Sequence, residues 1–268
     1  MQLSDFISFH APAFEADEIR HNLILGIMTR FQSLTDRSGL ATWSLGAPGE
    51  CAVKTPGHPI IFGNLSAEQC RDFAQVTRAL DYPGVVGGES ALRFVEFARE
   101  LGVEFSQTIA QDLKVLTTDP VAPDILGFAR KATPGDFDVF RDWTLAFIRE
   151  AVPSDPLPED AALKETLNRG RHWFWIVDNE PVSMAAIARR MKKAASINSV
   201  FTPPDRRGNG FAGAITATVA RAIFAEGRPA ACLYVDRSNP ASSRCYAKLG
   251  FQPYCENWHI IRDSPASL

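Results

Sequence analysis

The chain has 268 residues, of which 46% are hydrophobic and 22% are charged, a composition typical of folded globular proteins that excludes bulk disorder. Its net charge of −3 excludes a globally basic protein that binds nucleic acid or anionic membranes. The five cysteines and five histidines are scattered, so the sequence predicts reduced thiols and no metal site.

The N-terminus carries no targeting signal that the sequence reveals. Met1–Ala13 lacks a basic region followed by an apolar stretch and a small-residue cleavage site. The longest apolar runs, such as Leu23–Met28, fall far short of the roughly 20 residues of a membrane-spanning helix. We therefore expect a cytoplasmic protein without a membrane partner.

The first part of the chain predicts an α/β domain. Apolar residues at helical spacing predict one amphipathic helix over residues 14–31. Ser66 and Gln69 have the spacing of a capping box, which predicts a helix running to about Leu80. The other predicted elements are strands at 41–45, 50–54, 58–64, 84–87 and 105–117 and a helix at 90–101.

A segment with two prolines, residues 118–124, is the best linker candidate, and it predicts domains 1–122 and 123–268. The second part predicts strands at 126–131, 172–177, 182–190, 196–201, 230–236 and 251–261, and helices at 136–152, 158–169, 210–226 and 240–249. The short links between the strands within 172–201 predict an antiparallel meander. Both parts end in the same order of elements, which suggests an internal duplication.

The informative motif lies where the strand ending near Phe201 runs into an Arg/Gly-rich turn and a long helix. Gly208 and Gly210 let an anion approach the backbone, and Arg206 and Arg207 add positive charge. The first turn of a helix also has unpaired N–H groups and a positive dipole end. The sequence therefore predicts a diphosphate site at this junction.

One interpretation of this turn is a dinucleotide fold. Gly208, Gly210 and Gly213 fit Gly-x-Gly-x-x-Gly, and Asp236 follows at the end of the next strand, where a ribose ligand belongs. However, residues 203–207 separate the strand from the first glycine, and too few residues follow Asp236 to complete a doubly wound sheet. A dinucleotide-dependent oxidoreductase is therefore the weaker alternative.

The other interpretation rests on two motifs in register. Residues 207–212, Arg-Gly-Asn-Gly-Phe-Ala, match [Gln/Arg]-x-x-Gly-x-[Gly/Ala], and they follow Val-Phe-Thr-Pro-Pro at 200–204. Downstream, Asn239, Ser242, Tyr246 and Gly250-Phe251 match Asn-x-x-[Ala/Ser]-x-x-x-Tyr-x-x-x-Gly-Phe. Over residues 126–262 the chain resembles the GNAT superfamily of N-acetyltransferases.

This resemblance implies an α/β (α+β) fold with a mixed, mainly antiparallel sheet flanked by helices, preceded here by a second, smaller α/β domain. It implies acetyl-CoA as co-substrate and a primary amine as acceptor, either a small molecule or a peptide. The amine attacks the thioester directly, through a tetrahedral intermediate and without an acyl-enzyme. We expect no nucleic acid, membrane or metal partner, and a homodimer is a further expectation.

The resemblance also implies the site residues. Tyr246 is the expected catalytic acid for the departing thiolate, and the backbone N–H of Val200 is the expected oxyanion donor. The expected contacts to acetyl-CoA come from Ser199, Val200, Phe201, Thr202, Arg206, Arg207, Gly208, Asn209, Gly210, Phe211, Ala212 and Asn239. We expect strand 230–236 to splay away from strand 196–201 and leave a cleft for the pantetheine arm.

The general base is left open by the sequence. Residues 194–200 carry no carboxylate, although many members of the family have a Glu on this strand. Asn198 or Ser196 could position a water molecule, and the more distant candidates are Glu150, Asp178 and Glu180.

Other features have ordinary structural interpretations beside functional ones. Arg189, Arg190, Lys192 and Lys193 form either a solvated hairpin or a contact to the 3′-phosphate of CoA or an acidic acceptor. Trp143 and Phe147 are candidates for lining an acceptor pocket. The N-terminal part lacks the Arg/Gly turn, since residues 60–66 read Ile-Ile-Phe-Gly-Asn-Leu-Ser, so it is interpreted as a degenerate GNAT-like copy. A non-catalytic acyl-CoA-binding or sensor protein is the alternative function.

Overall fold

The chain divides into two units in the computed structural model, which describes residues 2–32 and 39–263. Unit 1 comprises residues 1–112, 236–238 and 255–268, and unit 2 comprises residues 113–235 and 239–254. Each unit is thus built from separate stretches of the chain. The sequence-based division into consecutive domains 1–122 and 123–268 stays a prediction.

Apart from two helices where one is predicted, the elements up to the linker follow the predicted order. They are α1 (Leu3–Glu15), α2 (Asn22–Gln32), β1 (Ala41–Ser44), β2 (Cys51–Lys54), β3 (Ile60–Phe62), α3 (Ala67–Thr77), β4 (Gly84–Gly87), α4 (Glu89–Glu100) and β5 (Phe105–Leu116). The predicted capping box is present at the start of α3, where Ser66 and Gln69 bond each other's backbone N–H groups.

The elements after the linker agree with the sequence analysis within a few residues. They are β6 (Phe128–Lys131), α5 (Phe137–Ala151), α6 (Asp160–Asn168), β7 (His172–Val177), β8 (Glu180–Arg190), β9 (Ala194–Phe201), α7 (Phe211–Ala225), β10 (Ala230–Asp236), α8 (Pro240–Leu249) and β11 (Gln252–Arg262).

The same pairing pattern occurs once in each unit. In unit 1, β1, β2 and β3 pair antiparallel, and β4 joins β3 in parallel after helix α3. In unit 2, β7, β8 and β9 pair antiparallel, and β10 joins β9 in parallel after helix α7. The fold is therefore mixed and mainly antiparallel, as the sequence predicts. The antiparallel meander before α7 is not a βαβ unit, so the dinucleotide fold is wrong for this turn.

One predicted helix is wrong. The stretch 14–31 forms the end of α1 and all but the last residue of α2, separated by turns, and most of α1 lies before the predicted helix. Within the break the Asp17 carboxylate accepts a hydrogen bond from the backbone N–H of Arg20 at 3.1 Å, and the Asn22 side chain donates to the carbonyl of Ile19 at 2.7 Å. Such local bonds compete with the helical ladder, and apolar spacing alone does not reveal them.

Unit 2 is layered, with helices on both faces of its sheet. Along β7, Phe174 and Ile176 pack in a core with Phe140 of α5 and Leu163 of α6. The alternate residue Trp173 packs instead in a core with residues of α7 and α8. No helix among the described residues is long and apolar enough to cross a membrane.

His172 on β7 is only 6% exposed and contacts Phe140 edge-on. Burial, with a smaller contribution from Arg171, lowers the pKa of His172 from 6.5 to about 4. Folding therefore favours the neutral ring, so this stabilisation is complete above pH 6.5 and is lost as the pH falls towards 4. We expect the free energy of unfolding of His172→Gln to fall less steeply than that of the wild type as the pH decreases across this range. The slopes are expected to differ by up to roughly 1.4 kcal/mol per pH unit.

Urea denaturation at several pH values measures this effect. The difference in unfolding free energy between wild type and His172→Gln is expected to be constant above pH 7 and to shrink as the pH falls. A difference that stays constant down to pH 4 would contradict the assignment.

Candidate active site

The turn between β9 and α7 has a backbone that only glycine adopts readily. Gly208 has a φ of +84° and Gly210 a φ of +82°, both in the left-handed region. A Cβ atom added to Gly208 would have no protein atom within 4 Å, so the space beside it is open. The left-handed conformation explains why these two positions are glycine. The open space leaves the backbone approachable at Gly208, whereas a Cβ on Gly210 would contact Ile125 at 3.4 Å.

Side chains of the turn hold its backbone in place. The Asn209 amide donates to the carbonyls of Arg206 and Arg207 at 3.1 and 3.2 Å. The Nε of Arg207 donates to the Thr202 carbonyl at 2.9 Å. These bonds order the turn before any ligand binds, which lowers the entropic cost of binding.

Helix α7 begins without a side-chain cap. Its N-cap is Gly210, which supplies no side-chain hydrogen bond, and its first turn contains no acidic residue. The first backbone bond of the helix runs from the N–H of Ala214 to the carbonyl of Gly210. The N–H groups before Ala214 have no intrahelical acceptor, and with the helix dipole they favour an anion at this end.

Ser183, which the sequence analysis missed, anchors the end of β9. It is fully buried on β8, donates to the Phe201 carbonyl at 3.0 Å and shares a 2.9 Å hydrogen bond with the Thr202 hydroxyl. The Thr202 hydroxyl is thereby engaged within the protein. A lone serine in a strand gives no sequence signal of this role, because the partner lies on the neighbouring strand.

Strand β9 contains a bulge at the predicted pantetheine-binding residues. Between the pairs Met184–Phe201 and Ala186–Asn198, β8 advances two residues while β9 advances three. Within this stretch Ser199 has a φ of +52°, which is rare for a residue other than glycine. Such a bulge interrupts the ladder and re-aims backbone groups at Ser199 and Val200.

Strands β9 and β10 pair only over their first three residues. The register joins residues 194–196 of β9 to residues 230–232 of β10, and no pair of the two strands follows. Both strands continue beyond this point, to Phe201 and Asp236. The part of β9 that pairs with β8 but not with β10 leads directly to the Arg/Gly turn, so the expected gap between β9 and β10 lies next to the expected diphosphate site.

Tyr246 lies on α8 in the core of unit 2. It is 8% exposed and contacts Phe251 edge-on, with 6.0 Å between ring centroids. Burial, with a smaller contribution from Cys245, raises the pKa of the Tyr246 phenol, which therefore stays protonated at neutral pH. Burial also raises the pKa of the Cys245 thiol, which argues against that residue as a nucleophile.

Asn239 is the N-cap of α8. Its Oδ1 accepts a hydrogen bond from the backbone N–H of Ser242 at 3.0 Å. The cap thus uses the carbonyl oxygen of the side chain and orients its amide nitrogen. Asp236 caps the preceding turn, where its Oδ1 accepts from both the backbone N–H and the hydroxyl of Ser238 at 2.8 Å.

The two arginines of the turn each contact a carboxylate. Arg207 Nη2 lies 2.7 Å from Glu150 Oε2, near the end of α5. Arg206 Nη2 lies 3.5 Å from Glu180 Oε2, at the start of β8. Two of the three carboxylates considered as distant bases are therefore ion-paired to the turn.

Ser196 and Asn198, the candidates for positioning a water molecule, differ in their exposure. Ser196 is fully buried and its hydroxyl accepts from the backbone N–H of Arg189 at 3.2 Å, so it is a poor choice for positioning water. Asn198 is exposed.

The basic hairpin at 189–193 lies far from the Arg/Gly turn. Arg190 forms an ion pair with Glu226 through two hydrogen bonds, and Glu226 lies at the opposite end of the 15-residue helix α7 from that turn. That distance, about 22 Å, disfavours one ligand touching both places.

Helix α5 brings aromatic residues to the end of β9. Trp143 lies 5.6 Å from Phe174 and 6.0 Å from Phe201 between ring centroids. Trp143 and Phe147 are both partly buried. Their predicted role in an acceptor pocket stays a prediction. Among the described residues, no group of three or more His, Cys, Asp or Glu side chains is placed to hold a metal ion.

Comparison with known proteins supports the C-terminal resemblance. The family described as FR47-like protein matches residues 175–260. The mycothiol acetyltransferase of Streptomyces scabiei (strain 87.22) is 28% identical over 186 residues, which are 63% of this chain and 57% of that protein. The chain therefore spans just over half the length of this curated relative.

Solved structures show the same fold across most of the chain. A GCN5-related N-acetyltransferase from Kribbella flavida has a TM-score of 0.66 at 14% identity, covering 93% of this chain and 96% of that one. A GCN5-related N-acetyltransferase from Sphaerobacter thermophilus has a TM-score of 0.57 at 15% identity, covering 89% of this chain and 85% of that one.

Proposed function

We propose that this chain, whose C-terminal region is an FR47-like, GNAT-related domain, transfers an acetyl group from acetyl-CoA to a primary amine. The observation that carries the proposal is the turn at Gly208 and Gly210, held in a left-handed backbone in front of an uncapped helix. A diphosphate matches this arrangement, because N–H groups and a helix dipole stabilise negative charge. The motif at 207–212 and the relationship to acetyltransferases indicate CoA as its carrier.

The surrounding strands fit the rest of such a ligand. The gap that begins after Ser196 and Cys232 suits an extended pantetheine arm, which pairs with an exposed strand as a peptide does. The bulge at Ser199 and Val200 lies along that arm. Asn239 contributes its amide nitrogen, since Oδ1 is used as the cap of α8.

The proposed reaction is direct attack of the amine on the thioester. Acetyl-CoA supplies the activated acyl group and the thiolate leaving group. The Val200 N–H stabilises the oxyanion of the tetrahedral intermediate. Tyr246 protonates the departing thiolate, and its raised pKa ensures that the phenol carries the proton. The nitrogen of the tetrahedral intermediate releases its extra proton to water, and the phenolate of Tyr246 takes up a proton from water before the next turnover.

The raised pKa also has a cost. The unperturbed pKa of a phenol is about 10 and that of a thiol is about 8.5, so proton transfer between these two groups is nearly balanced. Burial of Tyr246 makes proton transfer to the thiolate more uphill than those values imply. We therefore propose that the proton moves as the C–S bond breaks, rather than after a free thiolate has formed.

The acceptor is proposed only as a class. This chain spans just over half of the mycothiol acetyltransferase, so we do not assign that protein's acceptor to it. The bulged part of β9, residues 198–201, reads Asn-Ser-Val-Phe and offers no carboxylate to deprotonate an ammonium group. An acceptor that binds as the neutral amine fits this site, and the aromatic residues of α5 suit an acceptor with an apolar part.

The N-terminal part is proposed to be a degenerate copy of the same domain. It repeats the strand and helix order, but the junction between β3 and α3 is capped by Ser66. That side-chain cap uses the N–H group that an anion would need. We therefore propose that acetyl-CoA binds only at the C-terminal turn, and that the N-terminal part serves acceptor binding or self-association.

A direct assay tests the proposed function. Purified protein is incubated with acetyl-CoA and a library of amines, and release of free CoA is measured. We expect release that depends on both the amine and the protein, and stabilisation of the protein by CoA in a thermal melt. Stabilisation by CoA without any acetyl transfer would favour the non-catalytic binding protein instead. No response to CoA would contradict both.

A further inference from the structure

We propose that Glu150 competes with the ligand diphosphate for Arg207 and thereby weakens the binding of CoA to the turn. The proposal rests on the proposed function, because it assumes a diphosphate at Gly208–Gly210. It adds a residue outside both sequence motifs, from a helix that neither motif includes.

The guanidinium group of Arg207 contacts three other residues. Its Nε donates to the Thr202 carbonyl at 2.9 Å, and its Nη2 donates to Glu150 at 2.7 Å. Its guanidinium carbon lies 5.9 Å from the centre of the Phe201 ring. The Nε bond and the ring hold the guanidinium beside the turn, while the carboxylate takes a charged donor that a phosphate would use.

Helix stability does not account for Glu150. It is the penultimate residue of α5, which ends at Ala151, and a negative charge at a helix C-terminus opposes the dipole. The Glu150 carboxylate is instead paired with Arg207, which lies on a different element of the fold. The Glu150 and Arg207 side chains are 52% and 46% exposed, so this ion pair can be exchanged for another anion at little cost.

A weaker version of the same arrangement lies next to it. Arg206 faces Glu180 at 3.5 Å, which is longer than the 2.7 Å of the Arg207 pair. Arg206 also lies 3.4 Å from Asp205, so Glu180 shares this arginine with a second carboxylate. If competition is the cause, removing the charge of Glu150 has a larger effect than removing that of Glu180.

Calorimetric titration of the full chain with two probes tests the proposal. CoA carries the diphosphate, whereas pantetheine shares the arm and lacks it. We expect Glu150→Gln to tighten CoA binding about two- to fivefold, the size of an exposed ion pair, and to leave pantetheine binding unchanged. The gain is expected to shrink at high salt. Glu180→Gln is expected to give a smaller gain.

Two controls separate competition from a general change in charge. Glu165→Gln removes a carboxylate from another exposed pair, with Arg169 at 2.6 Å, and is expected to leave CoA affinity unchanged. Arg207→Gln keeps a residue that the motif allows and removes the charge. In that background we expect Glu150→Gln to have no effect.

The outcomes distinguish the inference from the function on which it rests. Unchanged CoA affinity in Glu150→Gln, an equal gain in Glu165→Gln, or an equal gain for pantetheine would overturn the competition while leaving CoA binding intact. Failure of the wild-type chain to bind CoA would overturn the proposed function, and the competition with it.

Discussion

Replacing Tyr246 with phenylalanine is expected to lower acetyl transfer about 100- to 10,000-fold, the range for loss of a general acid, while CoA still binds. The side chain is buried and packs edge-on against Phe251, and phenylalanine keeps that ring contact. Only the hydroxyl, and with it the proton proposed for the departing thiolate, is removed. Steady-state kinetics with acetyl-CoA, combined with calorimetric titration of CoA, measures both effects.

Tyr254→Phe is the matched control for this substitution. Tyr254 lies on β11, is 40% exposed and belongs to neither motif, so its loss of a hydroxyl is expected to leave the rate unchanged. A Tyr246→Phe protein with wild-type kcat would remove the assignment of the general acid. Lost CoA binding together with lost activity would instead give Tyr246 a structural role.

The sequence predicted unit 2 well because its signals are local and agree with one another. Pro240 opens α8 and Gly250 ends it, and the structure places the helix at Pro240–Leu249 as predicted. The strand at Ala230–Asp236 also has its predicted ends. The long helix after the Arg/Gly turn begins one residue later than predicted, at Phe211, because Gly210 is its cap. Caps, glycines and apolar periods all point to the same boundaries in this part of the chain.

The features that the sequence did not reveal depend on partners far along the chain. The hydrogen bonds of Ser183 to Phe201 and Thr202 require strands β8 and β9 to be paired in one register. The Glu150–Arg207 pair joins residues 57 positions apart. The bulge in β9 appears only as a mismatch in spacing between two strands. No periodicity within a single segment carries such information.

The glycine turn gives the second large effect, because its backbone is expected to touch the ligand. We expect Gly208→Ala to weaken CoA binding about 10- to 100-fold, the worth of one or two hydrogen bonds to a charged group. An added Cβ would meet no protein atom within 4 Å, so it would project into open space, where the proposed diphosphate would lie. The left-handed backbone, with a φ of +84°, adds a stability cost of about 1–2 kcal/mol.

Gly227→Ala separates the binding effect from this backbone cost. Gly227 follows the other end of α7, has a φ of +81°, and likewise has no protein atom within 4 Å of an added Cβ. Both substitutions are expected to lower the free energy of unfolding equally in urea titrations, since the backbone strain is the same. Only Gly208→Ala is expected to lose CoA affinity in calorimetric titrations. Equal CoA affinity in the two variants would mean that the Arg/Gly turn does not hold the diphosphate, and the proposed orientation of the thioester towards Tyr246 would lose its basis.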